Sequence, residues 1–229
     1  RDFCLSRGLG DVYKRQDKVF RATMQQIAPD NPVVANAGIF AARGLESDRN
    51  RAVADLILRG NSLLRQDTKA DGKPGKGGLL AMPKEEELQR GFASYEKNAY
   101  AGKEMARNVA YQTAKAIYAA KASEEGDYSG DFNADRWAGA MSMATGKIES
   151  HKGRNIVMPY GWEYGAFKDG LKQRIPALIA SGQLGAGWTP EKLRDLPMEN
   201  AGDGKYFFRV GDGYLAGKDG RPVLVDFNQ

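Results

Sequence analysis

Three Asp-Gly pairs crowd the last thirty residues: Asp203-Gly204, Asp212-Gly213 and Asp219-Gly220. Carboxylates at such regular intervals are the raw material of a calcium site. A calcium loop, however, spaces oxygen ligands through twelve residues and closes on Glu, and no stretch here has that pattern. Hairpin turns account for all three pairs, because Asp-Gly supplies the backbone freedom that tight turns need. A second candidate is Gln66–Gly78, QDTKADGKPGKGG, where Lys69, Lys73 and Lys76 sit among glycines. A phosphate-binding loop requires Lys followed by Ser or Thr, after a strand. Here Lys76 is followed by Gly77 and no strand pattern precedes it, so the segment reads as a solvated linker. The chain has one His and one Cys. That rules out an internal disulfide and Cys- or His-rich metal sites. His151, beside Lys152-Gly153, is expected to be an exposed turn residue. No metal ligands or cofactor-binding motif emerge, and no cofactor is expected.

The elements that would position any site are mostly helical. Glu85 to Ala122 has the longest unbroken period: Phe92, Tyr95, Ala99, Gly102, Ala106, Val109, Thr113, Ala116 and Ala120 recur at steps of three and four. That spacing puts them on one side of a helix, so a single long helix is expected. Tyr111 and Tyr118 make a second partial stripe. Earlier segments read as short helices over 17–27, 33–43 and 49–59, the last closed by Gly60. Asn133 caps an expected helix from Ala134 to about Thr145. A β-hairpin is expected over 147–158, then a helix over 163–180 that Pro176 bends or divides. Thr189-Pro190-Glu191-Lys192 opens a short turn of helix. Alternating Tyr206, Phe208 and Val210, then Tyr214 and Leu215, then Val223, Val225 and Phe227 predict a three-stranded meander over 203–227. The fold class is therefore mainly α with a small antiparallel β part, an α+β chain. Its expected organisation is an N-terminal tail to residue 16, a helical hairpin region over 17–65, a flexible linker over 66–82 and a main unit over 83–229.

Bulk properties narrow the function classes. The net charge of +5 comes from 34 basic and 29 acidic residues, interspersed rather than clustered with aromatics. Nucleic-acid binding is thus weakly supported. A helix-turn-helix reading would rest on Arg49, Arg51 and Arg59, a thin basic face beside Glu46, Asp48 and Asp55. With 41% apolar residues and a mean hydropathy of −0.56, the chain can form a core. It lacks the run of about 20 apolar residues that spans a bilayer. No secretory leader pattern is present at the N-terminus, and the chain does not start with Met. Residues 1–16, RDFCLSRGLGDVYKRQ, resemble a translated sequencing-adapter artefact of the kind found at the ends of metagenome-derived proteins. Setting them aside removes Cys4, four basic and two acidic residues, which leaves a charge of +3.

Two longer stretches carry a family resemblance. GDYSGDFNADRWAGAMSMATGKIESHKGRNIVMPYGWEYGAFKDGL, 126–171, and ENAGDGKYFFRVGDGYLAGKDGRPVLVDFN, 199–228, are similar to the C-terminal regions of large bacteriophage and prophage virion proteins. These belong to the internal-virion and tail class, and some members carry a lytic transglycosylase domain upstream. The resemblance implies a structural role in the particle, in genome ejection or in crossing the host envelope. It implies partners that are other virion proteins or further copies of the chain, with location in the virion or, during assembly, in the bacterial cytoplasm. It supplies no catalytic residues. Tyr160, Trp162 and Trp188 flank glycines and are candidate interface anchors, with burial against the hairpin as the plainer alternative.

The enzymatic rival is peptidoglycan cleavage. A lytic transglycosylase uses a general-acid Glu held in a cleft, commonly followed by Ser, and Glu149-Ser150 superficially matches. The pair falls in an expected strand, and the segments that would accompany it are not recognisable. The expectation is a chain without enzymatic activity.

Overall fold

The computed structural model describes residues 48–65, 80–202 and 204–228. The expected helices over 17–27 and 33–43, and the Lys69, Lys73 and Lys76 loop, lie outside them. Among the described residues six helices and six strands form: α1 Asp48–Arg65, α2 Glu85–Glu96, α3 Glu104–Glu124, α4 Ala134–Thr145, α5 Tyr164–Ala180 and α6 Pro190–Arg194; β1 Ile148–His151, β2 Arg154–Val157, β3 Met198–Gly202, β4 Lys205–Val210, β5 Gly213–Tyr214 and β6 Leu224–Asp226. The class is α+β with antiparallel sheets, as expected. The described residues fall into two compact units. One takes those up to Gly91 with Glu104–Ala144, the other Phe92–Lys103 with Thr145–Gln229. The division falls inside the 83–229 stretch.

In the first unit, α3 is the central element. From Ala110 to Ala122 it is buried on nearly every side, the condition of a helix enclosed by its neighbours rather than lying on a surface. Helix α1 packs along it through Val53, Ala54, Leu56 and Ile57. Gly60 does not close α1, as the residue types suggested. The helix runs five residues further, and Gly60 lies where a Cβ would overlap the Ala116 carbonyl. Glycine is there for backbone approach, not termination. Trp137 of α4 is buried among Tyr111 and Tyr118, edge-on to both at 6.0 and 5.9 Å. Its indole N–H donates to the Leu88 carbonyl at 3.2 Å. Asn133 caps α4 as expected, accepting from the Arg136 N–H at 2.9 Å. Arg136 is itself buried, paired with Glu125 and Asp127 at 2.6 and 2.9 Å. Leu80 is buried and Ala81 bridges to Ser129, so the last residues of the 66–82 stretch are anchored.

The single long helix over 85–122 is not formed. It breaks between Glu96 and Glu104. Lys97 and Asn98 adopt left-handed backbone angles (φ 47° and 63°), followed by Gly102 (φ 72°). Short turns carry the chain across, with Ala99 N–H to Glu96 and Lys103 N–H to Tyr100. Asn and Gly tolerate this region, and tertiary bonds replace the lost helical ones. The Lys97 carbonyl accepts from the Asn155 amide at 2.9 Å, and the Lys103 ammonium bonds Glu199 at 2.9 Å and the Asn200 carbonyl. The period survived because small residues fit either a continuous stripe or two shorter ones.

The second unit packs α5 on a four-stranded antiparallel sheet. Strand β4 pairs with β3 on one edge, and with β5 and β6 in succession on the other. The sheet therefore exceeds the expected three strands. Met198–Gly202, MENAG, has none of the β-branched residues that mark strands, yet it pairs with β4 through a bulge at Asn200/Gly202. The core gathers Phe167, Leu171 and Ile175 of α5 with Tyr206, Phe208, Val225 and Phe227 of the sheet region. Phe167 stacks on Phe227 at 4.9 Å and meets Tyr206 edge-on at 5.2 Å. The hairpin β1–β2 forms as expected, turning at Lys152 (φ 50°) and Gly153 (φ 81°). It joins the sheet through the Asn200 side chain, whose amide bonds both the N–H and the C=O of Val157 at 2.9 Å. Pro176 does not divide α5, which continues to Ala180.

Candidate functional site

The described concave site lies within the second unit. Three elements line a cleft of about 390 Å³: the hairpin tip with His151 and Lys152, α5 with Tyr164, Lys168, Leu171 and Lys172, and α6 with Glu191, Arg194 and Asp195. The α5 residues fall at i, i+4, i+7 and i+8, so helical geometry alone brings them to one face. Helix α6 is set by its cap: Thr189 accepts from the Lys192 N–H, and Pro190 occupies the first helical position, where its missing N–H costs nothing.

His151 is the principal correction to the residue-level reading. It is not exposed at the turn but 2% accessible. Its ring meets Phe167 and Tyr164 edge-on at 5.5 and 6.0 Å, and Nδ1 lies 3.1 Å from the Tyr164 hydroxyl. Burial pushes the imidazole down to about 4, with the adjacent Lys152 and Lys168 adding to the shift and the Leu196 backbone opposing it. Leu196 is near enough to act electrostatically, yet Nε2 completes no hydrogen bond of good geometry among the described residues. At neutral pH the ring is uncharged. The sequence signal for its burial lies in strand alternation: His151 stands two residues from Glu149 and opposite Arg154, on the face that also presents Ile156 to the core.

The cations of the cleft are unequally satisfied. Lys152 pairs with Asp195 at 2.7 Å and Arg194 with Glu191 at 2.9 Å. Lys172 pairs with Asp169 at 3.1 Å. Lys168 has no carboxylate within ion-pair distance among the described residues, and its ammonium stands 4.9 Å from the Tyr164 ring centroid. The cluster is not visible in the sequence, since its charged residues are spread over 43 positions, from Lys152 to Asp195.

A second charged cluster lies on the sheet. Glu199 receives Lys103 and the Tyr214 hydroxyl at 2.9 Å, with Arg154 at 3.5 Å and Arg209 at 3.7 Å. Burial raises the affinity of Glu199 for its proton, but Lys103 and Tyr214 outweigh it and hold the carboxyl below its ordinary range. Several cations around one partly buried acid make a structural tie between the 92–103 segment, the hairpin and the sheet.

The residues chosen from sequence are placed elsewhere. Glu149 is half-buried on β1 opposite Ile156 and does not line the cleft. Trp162 packs edge-on against Phe227 at 5.6 Å and covers Gly170 of α5. Trp188 is partly buried against the same core, and Tyr160 is half-buried near Gly146. Trp162 thus lies against α5 and the C-terminal strand region. Asp212-Gly213 and Asp219-Gly220 serve turns, with the Asp219 carboxylate accepting the Arg221 N–H at 3.0 Å. Among the described residues no group of three or more His, Cys, Asp or Glu is placed to hold a metal ion, and no helix is long and apolar enough to cross a membrane. Comparison with protein-family models, curated proteins and solved structures found no match.

Proposed function

We propose that the chain is a non-enzymatic structural piece of a phage or prophage virion protein of the internal-virion or tail class. The observation that carries this reading is the pair of stretches, 126–171 and 199–228, that resemble such proteins. Their places in the fold support treating them as one module. The first contributes Ile156, Met158, Phe167 and Leu171 to the core of the second unit, and the second contributes Tyr206, Phe208, Leu215, Val223, Val225 and Phe227. Residues far apart in the chain thus depend on each other for burial. Partners in this reading are neighbouring virion proteins or further copies of the chain, in the particle or in the host cytoplasm during assembly.

The test is mass spectrometry of density-gradient-purified particles from an induced culture of the encoding strain. Peptides from 126–229 should migrate with the capsid proteins. Their confinement to the particle-free soluble fraction would overturn the proposal. The peptidoglycan-cleaving alternative needs Glu149 as its acid, and a strand position away from the cleft gives that role no support. A turbidity assay on purified peptidoglycan, comparing the wild type with Glu149→Gln, checks it directly. Lysis by the wild type alone would restore the enzyme reading.

A further inference from the structure

The cleft between the hairpin tip, α5 and α6 invites a reading independent of the virion proposal. Its volume, about 390 Å³, is within the range of sites that hold small molecules. Its lining carries four cations, Lys152, Lys168, Lys172 and Arg194, against two carboxylates, Glu191 and Asp195. Both carboxylates are engaged by Lys152 and Arg194. Lys172 is drawn to Asp169, an exposed pair one turn away on the same helix, which is a weak and readily exchanged contact. Lys168 faces the cleft over the Tyr164 ring, with no counter-ion among the described residues. Leu171, the Tyr164 ring and the methylene stems of the lysines supply apolar wall.

We propose that this cleft binds a small organic anion, a phosphomonoester or carboxylate on an apolar body, with Lys168 as the anchoring cation. The anionic head takes the charge-assisted bond that Lys168 makes to none of the described residues. Lys172 can turn from Asp169 to share it. The uncharged His151 forms part of the lining and ties the Tyr164 hydroxyl in place. Because Lys152 and Lys168 already act on the His151 ring, an anion beside Lys168 should raise the affinity of that ring for a proton. His151 is the chain's sole histidine, so one resonance reports the event.

The experiment is titration of the whole chain, at low ionic strength, with phenyl phosphate, benzoate and phenol, followed by calorimetry and by the His151 ring resonance. At least one of the two anions should bind saturably and move that resonance, with phenol failing to do so. The tighter anion assigns the head group. Lys168→Gln should weaken binding about tenfold, the effect of one charge-assisted contact, and Lys168→Arg should restore most of it. Lys218→Gln, at an exposed cation outside the cleft lining, should change nothing. Lys168 is exposed, so its variants should keep the wild-type circular dichroism. The proposal is overturned by absence of saturable binding of both anions, by phenol binding as well as they do, or by equal losses in Lys168→Gln and Lys218→Gln.

Discussion

In the first unit, helices α1 and α3 meet at Gly60 and Ala116, where backbone approaches backbone, and Ala supplies most of the surrounding wall. In the second, large rings from α5 and from the C-terminal region of the sheet interleave, with Phe167, Tyr206 and Phe227 within 4.9 to 5.4 Å of one another. Small residues let helices close without gaps. Large rings hold a helix away from a sheet and fill the space between, so their packing has margins. The cleft stands at one such margin, where the hairpin tip and α6 flank α5. The contrast teaches that a core of small residues is sensitive to added volume, and an aromatic core to removed volume.

That difference can be broken from either side. Gly60→Leu should be the most damaging substitution. Its side chain has no room beside the Ala116 carbonyl, and a cost of about 4 kcal/mol or more is expected, beyond the usual range for overpacking. Denaturant unfolding followed by circular dichroism measures it; a loss below about 1 kcal/mol would mean that α1 and α3 do not approach as described. Phe167→Ala is the reciprocal case, expected to cost about 3–5 kcal/mol through the void it leaves. The same substitution at Gly60, Gly60→Ala, should also destabilise, although Ala is the better helix former. A stabilising Gly60→Ala would erase the contrast.

The pH response should come from the second unit through His151. Its folded proton affinity is lowered to about 4, against an ordinary value near 6.5. The unfolded chain therefore binds a proton that the folded ring refuses. The stability contribution is complete above about pH 6.5 and is lost as pH falls through about 4, to an extent on the order of 2 kcal/mol. Lys152 and Lys168 strengthen the effect, while the Leu196 backbone moderates it. Unfolding free energies at pH 7 and pH 4 should differ less in His151→Gln than in the wild type. Parallel slopes would sink the idea. The smallest expected effects are the two caps, Asn133→Ala in the first unit and Thr189→Ala in the second. Each should cost about 1 kcal/mol, because a cap acts locally and is indifferent to the core it serves. A cost above about 3 kcal/mol for either, in thermal or denaturant melts, would show that the cap also supports the core.

Local signals were read correctly where a residue's role depends on near neighbours. Asn133 capping α4, Thr189-Pro190 opening α6, Lys152-Gly153 turning the hairpin and the alternation through Tyr206 and Phe208 all belong to this kind. The reading failed where a distant contact overrode the local pattern. Gly60 has the look of a helix stop and serves as a contact point. Lys97-Asn98 lies within a continuous helical period and breaks it. Met198–Gly202 lacks strand residues and is recruited by β4. For the cleft almost nothing was legible, because its cations are three ordinary surface lysines and Arg194 until the hairpin tip, α5 and α6 are brought together.

The amino-acid sequence by itself determined the α+β class, the caps and turns, and the alternation that turns Tyr206, Phe208, Val223, Val225 and Phe227 to a core, though not Val210 and Tyr214, which are exposed; each follows from dihedral preference and burial over a few residues. Only the tertiary structure decided that the 85–122 stretch would divide at Lys97, that the hairpin face bearing His151 would be covered by α5 and the ring left uncharged, and that Lys168 would meet no counter-ion among the described residues. Those outcomes depend on contacts between residues tens of positions apart. Their energies, the Lys103–Glu199 tie among them, decide between local conformations that the chain's own preferences leave nearly equal.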